Sequence, residues 1–313
     1  MGWRLKAMVQ NIIASLPFSN ETYYLVQRSL GSLRPGRRDP REWLTAAVQM
    51  VNWIRSYGRD VAGKSFLEVG TGRAIDLPLG LWLCGASRVL TVDLNRYLSS
   101  TIVKESLKFL HDHRDQVINI FDSIEKDSLF QSRFDRLLNF NGGLADLLRM
   151  TQIEYVSPAD AAHLSVDSGS FDFHISYTVM EHIPPEVIVA ILLEARRLLK
   201  PDGLLLHHID CSDHFSHGDK SISAINFLQF GEAEWNKLAG NQFMYHNRLR
   251  AYEYIELFKC AGVKIIREQQ AIDENSLQIL KNGFKLHERF RGLEPEKLAA
   301  SSITIMGSFS EDT

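Results

Sequence analysis

Residues Ser65-Phe66-Leu67-Glu68-Val69-Gly70-Thr71-Gly72-Arg73-Ala74 join a short apolar run to two glycines in G-x-G spacing, and a helical pattern resumes at Ile75. A strand, a glycine turn and a helix in succession is the way an α/β domain brings its backbone close to a nucleotide. Glycine is required there because a Cβ would block both the positive-φ turn and the approach of a ligand. Further short apolar runs follow at Arg88–Leu94, Ile153–Val156, Phe171–Val179, Leu204–Ile209, Val263–Arg267 and Ser302–Met306, separated by helical patterns. Such alternation predicts an open, mostly parallel sheet covered by helices.

The glycine turn departs from a dinucleotide fingerprint. The third position of G-x-G-x-x-G is Ile75, and Glu68 places an anion where a phosphate would be repelled. Asp93 ends the second strand 23 residues after Gly70, the place where a carboxylate holds a ribose diol. Asp160-Ala161 follows the third strand, and the fourth runs Ser170-Phe171-Asp172 into Glu181-His182. Over residues 60–210 these blocks resemble, in order and spacing, the class I S-adenosylmethionine-dependent methyltransferases. That family's first motif is E/D-x-G-x-G-x-G; here Ala74 stands for the last glycine.

The resemblance implies an α/β fold, with a seven-stranded, mostly parallel sheet in the order 3-2-1-4-5-7-6, its last strand antiparallel, and helices on both faces. It implies S-adenosylmethionine as cofactor. Glu68, Gly70, Thr71, Gly72, Asp93, Leu94, Asp160, Ala161 and Tyr177 are the matching cofactor residues.

An N-terminal helical arm over residues 1–60 would precede a methyltransferase domain over 61–313. Within the arm, Gly31–Arg38 is a basic, turn-rich link, either a solvated loop or a lid for an anionic substrate. Asp39 is expected to cap a helix whose first residue is Pro40. A helical insertion is expected over about 97–150, as helices at Tyr97–His111, Gln116–Phe130 and Phe134–Met150. Residues 211–247 and 272–300 are insertions suited to a substrate cap.

Four of the eleven histidines and three aspartates fall within His207–Asp219. Histidine and carboxylate are the usual general bases near neutral pH, and methyl transfer to oxygen requires a proton acceptor. His214 and Asp210 are therefore the candidate base and its anchor, with His182 as rival. His182 also has a structural reading, because a Glu-His pair after this strand accompanies many different acceptors in the resembled family. Asp213, Tyr245, Arg248 and Arg250 are candidate substrate contacts, the arginines as grips for an anion. Asp210, Asp213 and His214 could also ligate a divalent ion, but their spacing matches no zinc signature, and no metal is the expectation.

Composition narrows the partners. A net charge of −3, with no basic tract, argues against a nucleic-acid enzyme. Three cysteines without paired spacing suit a reducing, cytoplasmic setting. No apolar run reaches membrane-spanning length. O-methylation of a small molecule or glycan-linked metabolite is the reading these features favour. N-methylation of a small amine, a non-catalytic cofactor-binding module and an NAD-dependent oxidoreductase are the competitors. Ile75 and the Asp-Ala pair count against the last.

Overall fold

A computed structural model describes residues 2–29, 31, 33–124, 126 and 128–309. Met1 and Leu30 of the expected N-terminal helices, Ser32 of the basic link and Glu125 and Asp127 of the expected second insertion helix lie outside the described residues.

Helices α1 (Trp3–Ala14), α2 (Ser19–Ser29) and α3 (Arg41–Ser56) precede β1 (Ser65–Val69). The chain continues through α4 (Asp76–Leu83), β2 (Arg88–Val92), α5 (Ser100–Asp112), α6 (Arg114–Ile120), α7 (Ser128–Leu138), α8 (Leu144–Thr151), β3 (Ile153–Val156) and β4 (Phe171–Tyr177). Then come α9 (Pro185–Leu198), β5 (Leu199–Asp210), α10 (Phe215–Gly218), α11 (Glu232–Ala239), α12 (Ala251–Cys260), β6 (Lys264–Ile272), α13 (Glu274–Lys281), α14 (Pro295–Ala299) and β7 (Ala300–Ser308). The seven strands form one sheet in the order β3-β2-β1-β4-β5-β7-β6, as the resemblance implied. β1 lies parallel to β2 and β4, with Val69 opposite Val92 and Glu68 opposite Ile175. β2 lies parallel to β3, with Val92 opposite Val156. These registers bring the carboxyl ends of four strands to one rim.

Two compact units are distinguished by their internal contacts. One contains Ser32–Tyr177 and Leu193–Leu206; the other contains the N-terminal segment through Gly31, Thr178–Leu192 and His207–Gly307.

In the first unit, α3 turns Leu44, Ala47, Val51 and Ile54 inward, all fully buried, the spacing of an amphipathic helix. α4 is buried on every side. The two helices meet so closely that a Cβ on Gly80 would lie 2.6 Å from the Ala47 Cβ; glycine is required for this approach. The expected cap at α3 is shifted by one residue: Pro40, not Asp39, occupies the N-cap, with helix-like φ and ψ. Proline's fixed φ already suits the turn, and Asp39 instead accepts from the Arg41 amide at 3.1 Å. Arg38, from the basic link, pairs with buried Asp76 and donates to Ser106 Oγ at 3.0 Å. That arginine is therefore a tie within the unit.

Among the described residues the insertion holds four helices, α5 to α8, where three were expected. Gly142-Gly143 lies between α7 and α8, where a Cβ on Gly142 would meet the Phe140 ring at 2.8 Å, so glycine permits this close approach.

In the second unit, α1 places Trp3 and Ala7 in a core with Phe215, Phe227, Phe230 and Trp235. Trp3 lies 5.5 Å from the Phe215 ring centroid, and its amide donates to Asp219 at 2.7 Å. Burial of a side chain this large contributes about 2–3 kcal/mol. The start of the chain is thereby anchored to residues more than two hundred positions later.

Candidate active site

The cofactor candidates stand at the strand ends of the first unit. Gly70 and Gly72 adopt φ of 91° and 65°, the left-handed region that favours glycine. No atom lies within 4 Å of a Cβ built on Gly72, so the backbone faces open space. Asp93 Oδ2 accepts from the Gly72 amide at 2.9 Å, and Oδ1 from the Asn95 amide at 2.9 Å. The half-buried carboxylate is thus oriented by the turn itself. Leu94, beside it, is 68% exposed, a large apolar surface suited to a flat heterocycle. Asp160 is exposed and receives the Ala162 amide at 2.9 Å, while Ala161 is buried. An open backbone cradle, an oriented acid and an uncovered apolar side chain fit S-adenosylmethionine.

Glu68 is fully buried and accepts from Thr91 Oγ1, which also pairs with Thr71 Oγ1. Burial, with a smaller contribution from the negative charge of Asp93 and against the Thr91 hydrogen bond, pushes its carboxyl up to about 8. The sign follows from linkage. A raised folded-state value means that the native state holds the proton longer, so the stability that Glu68 contributes is fully present below 4.5 and is lost as pH rises through about 8. Glu68→Gln should flatten this decline in urea titrations of the cofactor-free protein across that range. An unchanged slope would show that Glu68 is not its source.

Tyr177 closes β4 and lines an open cavity of about 560 Å³ with Arg41, Glu42, Gln49, Gln116 and Asn119. The lining is rich in hydrogen-bonding groups. Only Tyr177 among these was a candidate from sequence; the others come from two helices whose polar faces carry no motif.

The second unit gathers the acid–base candidates. His214 Nε2 lies 3.2 Å from Asp210 Oδ2 and 3.9 Å from Glu181 Oε1. The His214 ring lies 4.9 Å from His182, 5.0 Å from His246 and 5.0 Å from His217, centroid to centroid. His182 Nδ1 bonds the Tyr245 carbonyl at 2.8 Å; since a carbonyl only accepts, Nδ1 carries the proton and Nε2 keeps its lone pair. His246 is buried and accepts the Arg248 amide at Nδ1, which assigns its proton to Nε2.

Burial opposes the ionisation of Asp210, but the His214 hydrogen bond and charge, with donors from Ser212, outweigh it and hold the carboxyl far below its ordinary range. Glu181 is the reverse case. It is fully buried, neither oxygen has a well-formed hydrogen bond among the described residues, and burial with the nearby charge of Asp210 drives its carboxyl well upward. Adjacent carboxyls with values pushed apart are a mark of acid–base sites. His182 is lowered by the protein packed around it and by neighbouring His214; its exposed outer edge limits that desolvation.

The loop carrying Glu181 and His182 is fastened by Asn247. Its side-chain amide donates to the Met180 and Ile183 carbonyls at 2.9 Å each, and its backbone amide to the Glu181 carbonyl at 2.9 Å. Tyr254 Oη donates in turn to Asn247 Oδ1 at 2.7 Å.

Three of the expected substrate contacts are used by the fold. Arg248 and Arg250 are both fully buried. Arg248 donates to the Phe227 and Phe230 carbonyls and pairs with Glu232 at 2.6 Å, which holds its backbone at a positive φ of 56°. Arg250 donates to the carbonyls of Cys211, Leu298 and Ala300. Both guanidinium groups are spent on the chain's own groups, Arg250 on three carbonyls and Arg248 on two carbonyls and the Glu232 carboxylate. Asp213 is buried, accepts from the Phe215 amide and the Asn226 side chain, and is pushed up by burial to about 6. Tyr245 remains half-buried beside His182. We expect Arg250→Met to destabilise the protein by about 3 kcal/mol or more, because three buried acceptors lose their donor. Urea unfolding measures this, and a loss under about 1 kcal/mol would contradict the structural role.

The metal-ligand candidates also change. Both Asp213 oxygens are engaged, whereas ligand atoms of Glu181, His182 and His214 lie within 4.8 Å of one another. Two imidazoles and a carboxylate could hold a divalent transition metal. Glu181, His246 and Asn247 were missed as site residues. Glu181 and His246 lay in sequence beside the candidates His182 and Tyr245, but nothing local marks which way either points.

The sequence family described as "Methyltransferase domain" matches residues 139–207. No curated protein matches the chain. Among solved structures, a Pyrococcus horikoshii protein is similar at 14% identity and a TM-score of 0.48, covering 92% of this chain and 98% of its own. A Methanosarcina mazei S-adenosylmethionine-dependent methyltransferase is similar at 14% identity and a TM-score of 0.47, with coverage of 82% and 98%. A Burkholderia thailandensis 1,6-didemethyltoxoflavin N1-methyltransferase is similar at 15% identity and a TM-score of 0.46, with coverage of 93% and 90%.

Proposed function

We propose that this chain, which carries a class I S-adenosylmethionine-dependent methyltransferase domain, methylates an oxygen atom of a small molecule. When bound, the cofactor supplies an electrophilic methyl group on a sulfonium. Asp93 would hold the ribose hydroxyls, Gly70–Gly72 the amino acid end near Glu68 and Thr71, and Leu94, Asp160 and Ala161 the adenine, with Tyr177 nearby.

The observation that carries the acid–base assignment is the 3.2 Å contact between His214 Nε2 and Asp210 Oδ2. An ionised carboxylate against one ring nitrogen stabilises the imidazolium and orients the ring, leaving Nδ1 to take the proton from an acceptor hydroxyl. With the methyl carbon passing from the sulfonium sulfur, which would leave as a neutral thioether, to the acceptor oxygen, His214 Nδ1 would take the acceptor's O–H proton, so that the product would leave as a neutral ether. His182, held by the Tyr245 carbonyl, would align the acceptor with Tyr245. The N-terminal arm, with residues 211–247 and 272–300, would form the acceptor cap; Trp3, Phe227 and Phe290 share one core.

An amine acceptor is the second reading, favoured by the charge of Asp210, which suits a cation. The three cysteines are free, in keeping with a cytoplasmic setting. Among the described residues no helix is long and apolar enough to cross a membrane.

A screen of alcohols, phenols, sugars and amines with radiolabelled cofactor tests the reading. Label transferred to oxygen acceptors and lost in His214→Ala is the expected result. Transfer to amines alone, unaffected by His214→Ala, would replace it with N-methylation. Cofactor binding without transfer to any acceptor would favour a binding module.

A further inference from the structure

We propose that the outer face of α1, with the turn that follows it, docks on an anionic membrane surface. The inner face of α1 is committed to the core through Trp3 and Ala7. Its outer face is apolar as well. Leu5, Met8 and Ile12 are 49%, 53% and 54% exposed, and their spacing places them in one stripe of the helix. Leu16 and Phe18 extend the stripe beyond the helix end, Phe18 at 78% exposure. Phe18 also has a positive φ of 57°, a strained conformation for a bulky residue. A protein that gained only core packing from α1 would have polar residues on that stripe.

Charge identifies the occupant. Beside the stripe, α1 and α11 enclose a groove of about 420 Å³ lined by Met8, Ile12 and Leu238, with Arg4 and Lys237 among its polar residues. Arg4 and Lys237 are the cations that border the stripe, both exposed, whereas Lys6 turns inward over the Phe215 ring at 5.7 Å. An apolar face bordered by cations is the pattern of a helix that lies in the plane of a bilayer, with apolar side chains among the acyl chains and cations at the phosphates. At 12 residues α1 is about 18 Å long, suited to lying on a surface and too short to span one. A second copy of the chain would present the same cations to each other across a two-fold interface.

The test is co-sedimentation of the full chain with phosphatidylcholine vesicles, with and without about one-third phosphatidylglycerol. We expect binding at least about tenfold stronger to the anionic vesicles, weakened by salt. Met8→Gln with Ile12→Gln should abolish it, and Arg4→Gln with Lys237→Gln should reduce it about tenfold. Because these side chains are exposed, thermal melting of each variant should match the parent. Absence of binding, or equal binding to neutral vesicles, overturns the proposal. So does a dimer in sedimentation that Met8→Gln with Ile12→Gln disperses while vesicle binding is absent, which would assign the face to a second copy.

Discussion

Asp93→Ala is expected to weaken S-adenosylmethionine binding by about 100-fold or more. The carboxylate would accept both ribose hydroxyls through charge-assisted hydrogen bonds, each contributing about 1.5–3 kcal/mol, and 1.4 kcal/mol corresponds to tenfold in Kd. The turn compounds the loss, since the Gly72 amide is oriented by Asp93 Oδ2 at 2.9 Å. Burial raises the Asp93 carboxyl from its ordinary value, opposed by the Asn95 and Gly72 amides and by Arg73; a ligand offering two more donors would favour the ionised form. Calorimetry with S-adenosylmethionine and S-adenosylhomocysteine, with NAD as control, measures the effect. Retention of parental affinity in the variant, or tighter binding of NAD, would remove the cofactor assignment.

His214→Ala is expected to lower kcat by about 10²–10⁴, the range for loss of a general base, while cofactor affinity stays within about twofold. Asp210→Asn should lower kcat by a smaller factor of about 10–100, because the imidazole remains but its charged form loses its stabilising carboxylate. The separation of effects is the diagnostic: the loss falls on kcat, and Kd for the cofactor is the internal control. A change under about threefold in His214→Ala, with transfer intact, would return His214 to a packing role and leave proton removal to solvent or to Asp210. Proton transfer would not limit an acceptor that is already ionised, so phenols of graded acidity extend the test: dependence on His214 should weaken as acceptor pKa falls.

The two arginines show how far local sequence reasoning reaches. Arg248 and Arg250 lie in a polar segment beside Tyr245 and His246, and a guanidinium there has two equally local readings. Tertiary structure decided between them, because the carbonyls of Phe227, Phe230, Leu298 and Ala300 come from distant segments. Glu181 is similar. Its neighbour His182 was visible as a candidate, while the burial that drives the Glu181 carboxyl well upward is a property of everything packed around it.

The glycine turn after β1 and the acid at the end of β2 were legible in the sequence alone, while the strand order followed from the resemblance that those blocks carry. Backbone chemistry is local there: two glycines at a strand end permit positive φ, and a short apolar run bounded by turn residues suits a strand buried on both faces, as β1 is along its length. The gathering of His182, His214 and His246, separated by 32 positions in each case, was decided only in three dimensions. So was the seating of α1 in a core with Phe215 and Trp235. Side-chain encounters across such distances depend on loop paths and packing, whose free energy is shared among many residues and leaves no periodic trace in any one segment.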